Sequence, residues 1–294
     1  MFYRRKVILA ILQAFDGQLP KISLQKLLFL FANRQAKPEY EFVPYHYGCY
    51  SFSANADLIA MVKHGQISDD KSSFFKLDST NYISTLKEHD KKILIEIKNS
   101  YGKLSAIALM KHTYINHNYF AVNSVKAKEI LTEDQFAKVI AAKQINNSTV
   151  LYTIGYQGIS LEEYLNRLIK NDVKVLVDVR NNPLSMKFGF SKNQLKTFCA
   201  NFGIEYLHIP EVGIKSDQRQ ELNSQKDYDL LFDKYKKVNL RNTLIYQNKL
   251  LELLQSKKRI ALTCFESDIC QCHRKYLAEA ITNLPQWSYE LKHI

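Results

Sequence analysis

Long apolar runs are missing from this chain of 294 residues. The longest, such as Val7-Ile-Leu-Ala-Ile-Leu12 and Leu27-Leu-Phe-Leu-Phe-Ala32, fall far short of the roughly 20 residues that span a bilayer, so no membrane helix is expected. Met1-Phe-Tyr-Arg-Arg-Lys6 puts basic residues before an apolar run, yet Gln13, Phe15 and Asp16 follow with no small-residue cleavage site, and no secretory leader is read. An even cysteine framework is missing too. The five thiols, at 49, 199, 264, 270 and 272, are odd in number with three crowded together, which argues for reduced cysteines and a cytoplasmic protein. Internal repeats and low-complexity tracts are absent, which argues against a solenoid or a disordered tail.

What is present is an ordinary globular apolar content of 46% and enough length for two domains with their own cores. The formal charge is +12. Residues 1–147 hold 20 Lys and Arg against 13 Asp and Glu, which leaves +5 for the remainder, so both halves are basic. Such an excess favours polyanions through steering and counterion release. Nucleic acid, DNA before RNA, is the expected partner, although a lysine-rich surface alone would give the same number.

In the first half an amphipathic helix is expected from Arg4 to Phe15, broken by Asp16-Gly17 and Pro20. A second, capped by Ser23, carries Leu24, Leu27, Leu28 and Phe31 on one face and Lys21, Lys26 and Arg34 near its edges. Tyr40 to Gly48 reads as extended, Ser53 as the cap of a helix ending at Lys63, and Ile67 to Leu77 as a hairpin. Helix, helix, strand, helix, hairpin is the order of a winged-helix-like module. Helices at Asp90 to Lys98, Ser105 to His112 and Thr132 to Ala142 complete this half, the last with a Thr132–Gln135 capping box. The segments Ile22-Ser-Leu-Gln-Lys-Leu-Leu-Phe-Leu-Phe31, Tyr45-His-Tyr-Gly-Cys-Tyr-Ser51 and Tyr101-Gly-Lys-Leu-Ser105 through His112-Thr113 resemble the Panacea antitoxin-like domain, with Cys49 where that family has proline. The resemblance implies a helical interaction module found beside toxins and in phage-defence loci, with a protein partner as an option.

Polar residues 144–149 lack periodicity and precede an abrupt change to alternating strands and helices, which places a domain boundary between 147 and 148. Residues 148–294 then read as a Rossmann-like α/β domain with a parallel sheet. Strands are expected at Thr149 to Ile154, Val173 to Arg180, Glu205 to Pro210 and Arg259 to Thr263. The loop Gly155-Tyr156-Gln-Gly158 before Ser160 brings backbone N–H groups and a helix start together, a geometry for phosphate or simply a tight turn. Leu184 to Phe190 forms a loop able to act as a lid. Thr153-Ile-Gly155, Leu176-Val-Asp-Val-Arg180, Gly203-Ile-Glu-Tyr-Leu-His-Ile-Pro210, Cys264-x-Glu266 and Cys272-His-Arg274 together resemble the family called domain of unknown function 488. Its name implies no reaction.

The chemistry concentrates between Leu262 and Ala280, a strand turning into a helix with thiols, carboxylates, an imidazole and a guanidinium between them. Glu266 and Glu211, with Asp178, are candidate acid–base groups, while Arg180, Arg274 and Cys264 line the crevice with the glycine loop and hold phosphate. Cys272, at a helix start beside His273, is a candidate thiolate nucleophile. Alternatively Asp178 and Glu266 merely pair with the arginines and hold the sheet edge. No cofactor and no metal are expected, because neighbouring ligands at 272 and 273 strain a tetrahedron and the paired two-residue spacers are missing. Lys21, Lys26, Arg34, Tyr45 and His46 are candidate nucleic-acid contacts, against a packed aromatic corner. The expected function is a nucleic-acid-directed enzyme, a base-excising DNA glycosylase or nucleotide-processing hydrolase in a phage-defence context. A non-catalytic DNA-binding regulator or antitoxin-like protein is the first alternative, and a thiol-dependent sulfur-transfer or redox enzyme the second.

Overall fold

Six consecutive apolar residues set the centre of the first unit. In helix α1 (Tyr3–Ala14), Val7 through Leu12 are all buried, so neighbours surround this helix on every side instead of one face only. A computed structural model describes residues 1–219, 222 and 224–294. They form two units, Met1–Lys143 and Gln144–Ile294.

After α1 come strand β1 (Gln18–Pro20) and helix α2 (Lys21–Ala32), in which Ser23 through Ala32 are buried without a break. The chain enters α2 directly from Pro20, so Ser23 is an interior residue of the first turn and not its cap. A hairpin of β2 (Val43–Tyr45) and β3 (Gly48–Tyr50) leads to α3 (Phe52–Lys63), whose cap is Ser51, two residues before the expected Ser53. Strands β4 (Ile67–Asp69) and β5 (Ser73–Lys76) form the second hairpin, and β5 also pairs with β1 to give a three-stranded antiparallel sheet β1-β5-β4. Helices α4 (Glu88–Tyr101), α5 (Ala106–Asn116), α6 (Ala127–Ile130) and α7 (Glu133–Ala142) follow, and both halves of the Thr132–Gln135 capping box are made.

One buried carboxylate ties the first unit together. Asp57 on α3 is 2% exposed, accepts from Arg4 Nη2 at 3.3 Å, Arg5 Nε at 2.8 Å and the Tyr40 hydroxyl at 2.9 Å, and has the Arg4 Nε charge 2.5 Å away. Removing it leaves two guanidinium groups facing a buried site without their anion, and part of that loss is recovered because Arg4 is 43% exposed at its side chain. Asp57→Asn is therefore expected to destabilise the first unit by about 3 kcal/mol. Calorimetry should show its transition fall while the fluorescence of Trp287, in the second unit, stays in place; an unmoved transition would refute the assignment.

The second unit is built on five parallel strands. In chain order these are β6 (Val150–Gly155), β7 (Val175–Asp178), β8 (Glu205–His208), β9 (Arg259–Cys264) and β10 (Glu290–His293). Between them run α8 (Leu161–Lys170), α9 (Lys192–Ala200), α10 (Gln225–Lys234) with a π-helical turn over Tyr235–Leu240, α11 (Leu244–Lys257) and α12 (His273–Thr282). Every residue of β6, β7 and β9 is buried, which is why these segments are nearly continuous in apolar side chains. The strand order is β10-β6-β9-β7-β8. Because β9 enters between β6 and β7, the winding reverses there, and the carboxyl ends of these three strands open a crevice. Strand β10 falls outside the expected set: Glu290-Leu-Lys-His293 is short, polar and largely exposed at the sheet edge. Among the described residues no helix is long and apolar enough to cross a membrane.

Candidate functional site

Pairing register brings the three strand ends level. Gly155 lies beside Cys264, and Asp178 beside Thr263. Beyond them is a pocket of about 320 Å³, walled by Tyr156, Arg180, Asn181, Asn182 and Phe265, with Cys264 and His273 among its lining residues. Leu184, Ser185 and Met186 contribute from the 184–190 loop, where Leu184 and Met186 are strongly exposed. The size is at the lower end for a small-molecule site.

Two reactive side chains, Cys264 and His273, line this pocket, and Glu266 and Cys272 adjoin Cys264. Cys264, the last residue of β9, lies with its Sγ 3.1 Å from Glu266 Oε2 and 3.7 Å from His273 Nδ1. The other imidazole nitrogen, Nε2, is 3.0 Å from the Val179 carbonyl, an acceptor only, so the ring proton sits there and Nδ1 faces the thiol. Cys272, the extended residue that precedes α12, is fully buried beside them. Burial alone would push both thiols up. For Cys264 the hydrogen bond with Cys272 and the neighbouring His273 outweigh burial and pull the thiol down to about 6, whereas Cys272 is pushed well above its ordinary range by burial and by that same hydrogen bond. Of the two thiols, Cys264 is the more readily ionised.

The second reactive group, Arg180, is fixed by its neighbours. Its guanidinium holds both Asp178 oxygens, with Nε to Oδ1 at 2.8 Å, and donates to the Tyr156 hydroxyl at 2.6 Å. Asp178 accepts as well from Tyr206 at 2.6 Å. The carboxylate is completely buried and engaged on both oxygens, so its role is to orient Arg180, which forms part of the pocket wall. Tyr156 stacks on Phe190 with centroids 4.2 Å apart and meets the partly exposed Phe265 edge-on at 5.3 Å. Two aromatic rings therefore flank the Arg180 side of the pocket.

Other expected site residues take structural parts. The N–H groups of Tyr156 and Gln157 both donate to the Phe265 carbonyl, at 3.1 and 2.9 Å, so the glycine loop clamps the chain after β9 and its first amides are spent. Gly158 carries φ +81° and completes the turn. Arg274 is buried and donates to the backbone carbonyls of Glu266 and Ser267. Glu211 is exposed in the short turn Pro210–Val212, accepts from Tyr246 and is not a lining residue of the pocket. Asn181, Asn182, Phe265 and Ile214 line the pocket without having been singled out. The pair of asparagines directly after the Asp-Val-Arg strand end is the one signal that could have found them.

In the first unit, a cavity of about 570 Å³ is lined by Lys21, Lys26, Tyr45 and His46. Lys21 pairs with Asp69 at 3.0 Å, and Arg34 donates to its own helix at Leu30 and to Tyr101. Lys26 is 2% exposed and donates to the Cys49 carbonyl at 2.8 Å, and burial lowers its pKa. Tyr45 packs on His46, Tyr50 and Phe52 with centroids 4.1 to 5.3 Å apart, an aromatic corner of the kind weighed against base stacking.

No curated protein matches the chain. Residues 160–281, which carry Arg180, the asparagine pair, Cys264, Glu266, Cys272 and His273, match the model of the family described as domain of unknown function DUF488.

Proposed function

We infer that the second unit is a nucleic-acid-directed hydrolase acting on a nucleobase or nucleotide held in the strand-end pocket. The observation that carries this reading is the joining of an aromatic and amide-walled pocket to the Cys264–Glu266–His273 cluster. The exposed Phe265 ring offers an apolar surface to a base, Asn181 and Asn182 offer the amide groups left over from their contacts with Pro210 and Leu184, and Arg180 offers positive charge. Glu266, itself not a lining residue but 3.1 Å from Cys264 Sγ, is the carboxylate assigned to proton transfer in this reading, and Glu211, apart from that cluster in an exposed turn, has no part in the step. Base excision from DNA and hydrolysis of free nucleotides are both within this class.

The first unit fits the same task as a winged-helix-like, Panacea-like module that delivers DNA or a protein partner in a phage-defence setting. What supports this is the run α1, β1, α2, α3 and the β4–β5 hairpin, with β1 joining the sheet beside β5. Lys26, being buried, contributes to the module's interior and not to a phosphate surface.

The test is incubation of the purified chain with plain and base-modified DNA and with nucleotides, followed by mass spectrometry for released bases or cleaved nucleotides. Glu266→Gln is expected to lower the rate at least 10²-fold, the scale of general acid–base assistance. Bound but chemically unchanged DNA would instead indicate the regulator. The lowered thiol of Cys264 favours one further reading, thiol-dependent group transfer: activity that survives Glu266→Gln and vanishes in Cys264→Ser would establish it.

A further inference from the structure

We propose that Cys264, Cys272 and His273 bind a zinc ion with one coordination position left open. Their donor atoms all lie within 4.8 Å of one another and all three residues are buried. In a tetrahedral zinc site, metal–ligand bonds of about 2.0 to 2.3 Å put neighbouring donors roughly 3.5 Å apart, and the 3.7 Å between Cys264 Sγ and His273 Nδ1 agrees with that. The imidazole is oriented as a ligand. Its Nε2 is held by the Val179 carbonyl at 3.0 Å, the usual outer support of a metal-bound histidine, which fixes the tautomer and turns Nδ1 toward Cys264 Sγ.

The chain brings these donors together by an uncommon route. Cys264 leaves the end of β9, and a short 3-10 turn over Ile269–Gln271 returns the backbone so that Cys272, extended at φ −130° and ψ 134°, and His273, the first residue of α12, arrive opposite it. Neighbouring ligands are awkward when both must reach the metal from one helix face. Here the backbone changes conformation between them, and the donors converge. Two thiols and one imidazole select a borderline-soft divalent ion over magnesium or calcium. Both sulfurs bind as thiolates, and any proton they still carry leaves to solvent as the metal charge takes its place.

Three protein donors and no fourth cysteine or histidine in the group, among the described residues, make this an open site of the catalytic kind. Cys270, the remaining nearby thiol, is exposed and its Sγ lies 3.9 Å from Lys275 Nζ. Cys264 and His273 both line the strand-end pocket, so an ion on them borders the space assigned to substrate. Resting on the hydrolase reading above, the ion would supply Lewis-acid activation of water at the pocket, and Glu266, beside Cys264, would be the carboxylate nearest to it for taking a proton.

The experiment measures metal first and activity second. Full-length protein purified under reducing conditions should carry about one zinc per chain by mass spectrometry of the metal content. Cobalt exchanged into it should give the intense visible bands of a four-coordinate ion together with thiolate-to-cobalt charge transfer. Cys272→Ser should halve the charge-transfer intensity and weaken zinc retention at least tenfold in a chelator competition. His273→Gln should weaken retention while keeping both thiolate bands, and Cys270→Ser should leave all signals in place. Metal-free protein with both thiols free to alkylation, or a cobalt spectrum indifferent to Cys272→Ser, overturns the proposal. Stoichiometric zinc without any turnover leaves the site standing and removes the hydrolase, whereas turnover by protein stripped of metal does the reverse.

Discussion

Gly155→Ala is expected to cripple the second unit, and it makes the sharpest test of how the strand ends are joined. A Cβ at position 155 would lie 1.9 Å from the Glu266 carbonyl oxygen and 2.7 Å from its carbonyl carbon, with Arg274 Nη1 at 3.0 Å. The obstacle is backbone. It cannot rotate away as a side-chain tip would, and Glu266 is anchored on the far side by Arg274. Either β6 and β9 part at the register pair Gly155–Cys264 or the chain after β9 is pushed aside. A loss of about 3 kcal/mol follows from overpacking of this sort. Urea unfolding followed through Trp287 should report it. Gly158→Ala is the matched control: its φ of +81° strains alanine by about 1 kcal/mol, but nothing lies within 4 Å of the added carbon. Equal losses at the two positions would show that backbone strain, not contact with Glu266, accounts for Gly155. The same substitution displaces Glu266 and Cys264, so metal retention and turnover should fall with stability.

The parallel sheet was legible because its central strands are apolar on both faces and are separated by helix-period segments. Val173 to Arg180 could scarcely be read otherwise, and β7 occupies Val175–Asp178 within it. Strand β10 was not legible, because a short polar edge strand has no pattern beyond what its neighbour β6 imposes. Capping was readable at Thr132 and Ser160, fell two residues late at Ser53 where the Ser51 side chain caps α3, and failed at Ser23, where a proline entry sets the boundary instead. The site was readable as a set of residue types but not as a set of partners. Sequence spacing put Cys272 at a helix start and named it one candidate nucleophile beside the preferred carboxylates, but the contacts of Cys264 come from Glu266 two residues on and His273 nine residues on, through a turn whose path spacing does not specify. Lys26 was read as a surface cation because lysines usually are. Its burial depends on Cys49 offering a carbonyl from the adjacent hairpin, a tertiary fact.

Asp178→Asn is expected to be as damaging as the glycine change, for an electrostatic reason. Arg180 is 6% exposed and its Nε and Nη2 both point at Asp178, while Tyr206 gives its hydroxyl to the same carboxylate. The guanidinium is held charged by that anion against burial, and its pKa is raised accordingly. An amide keeps the shape but not the charge, and its NH2 faces donors on two sides, so a buried cation is left without its counterion. Breaking a buried pair in this way costs about 3–5 kcal/mol. Thermal unfolding read through Trp287 should fall steeply in Asp178→Asn, and the double variant Asp178→Asn with Arg180→Met should recover a substantial part, since two neutral side chains no longer require a charge to be buried alone. No recovery would mean that Asp178 acts through Tyr206 or through packing. The double variant also separates stability from chemistry. A refolded pocket that still binds zinc and has lost its grip on a nucleotide would place Arg180 on the substrate, whereas unchanged nucleotide affinity would confine the arginine to holding the sheet edge.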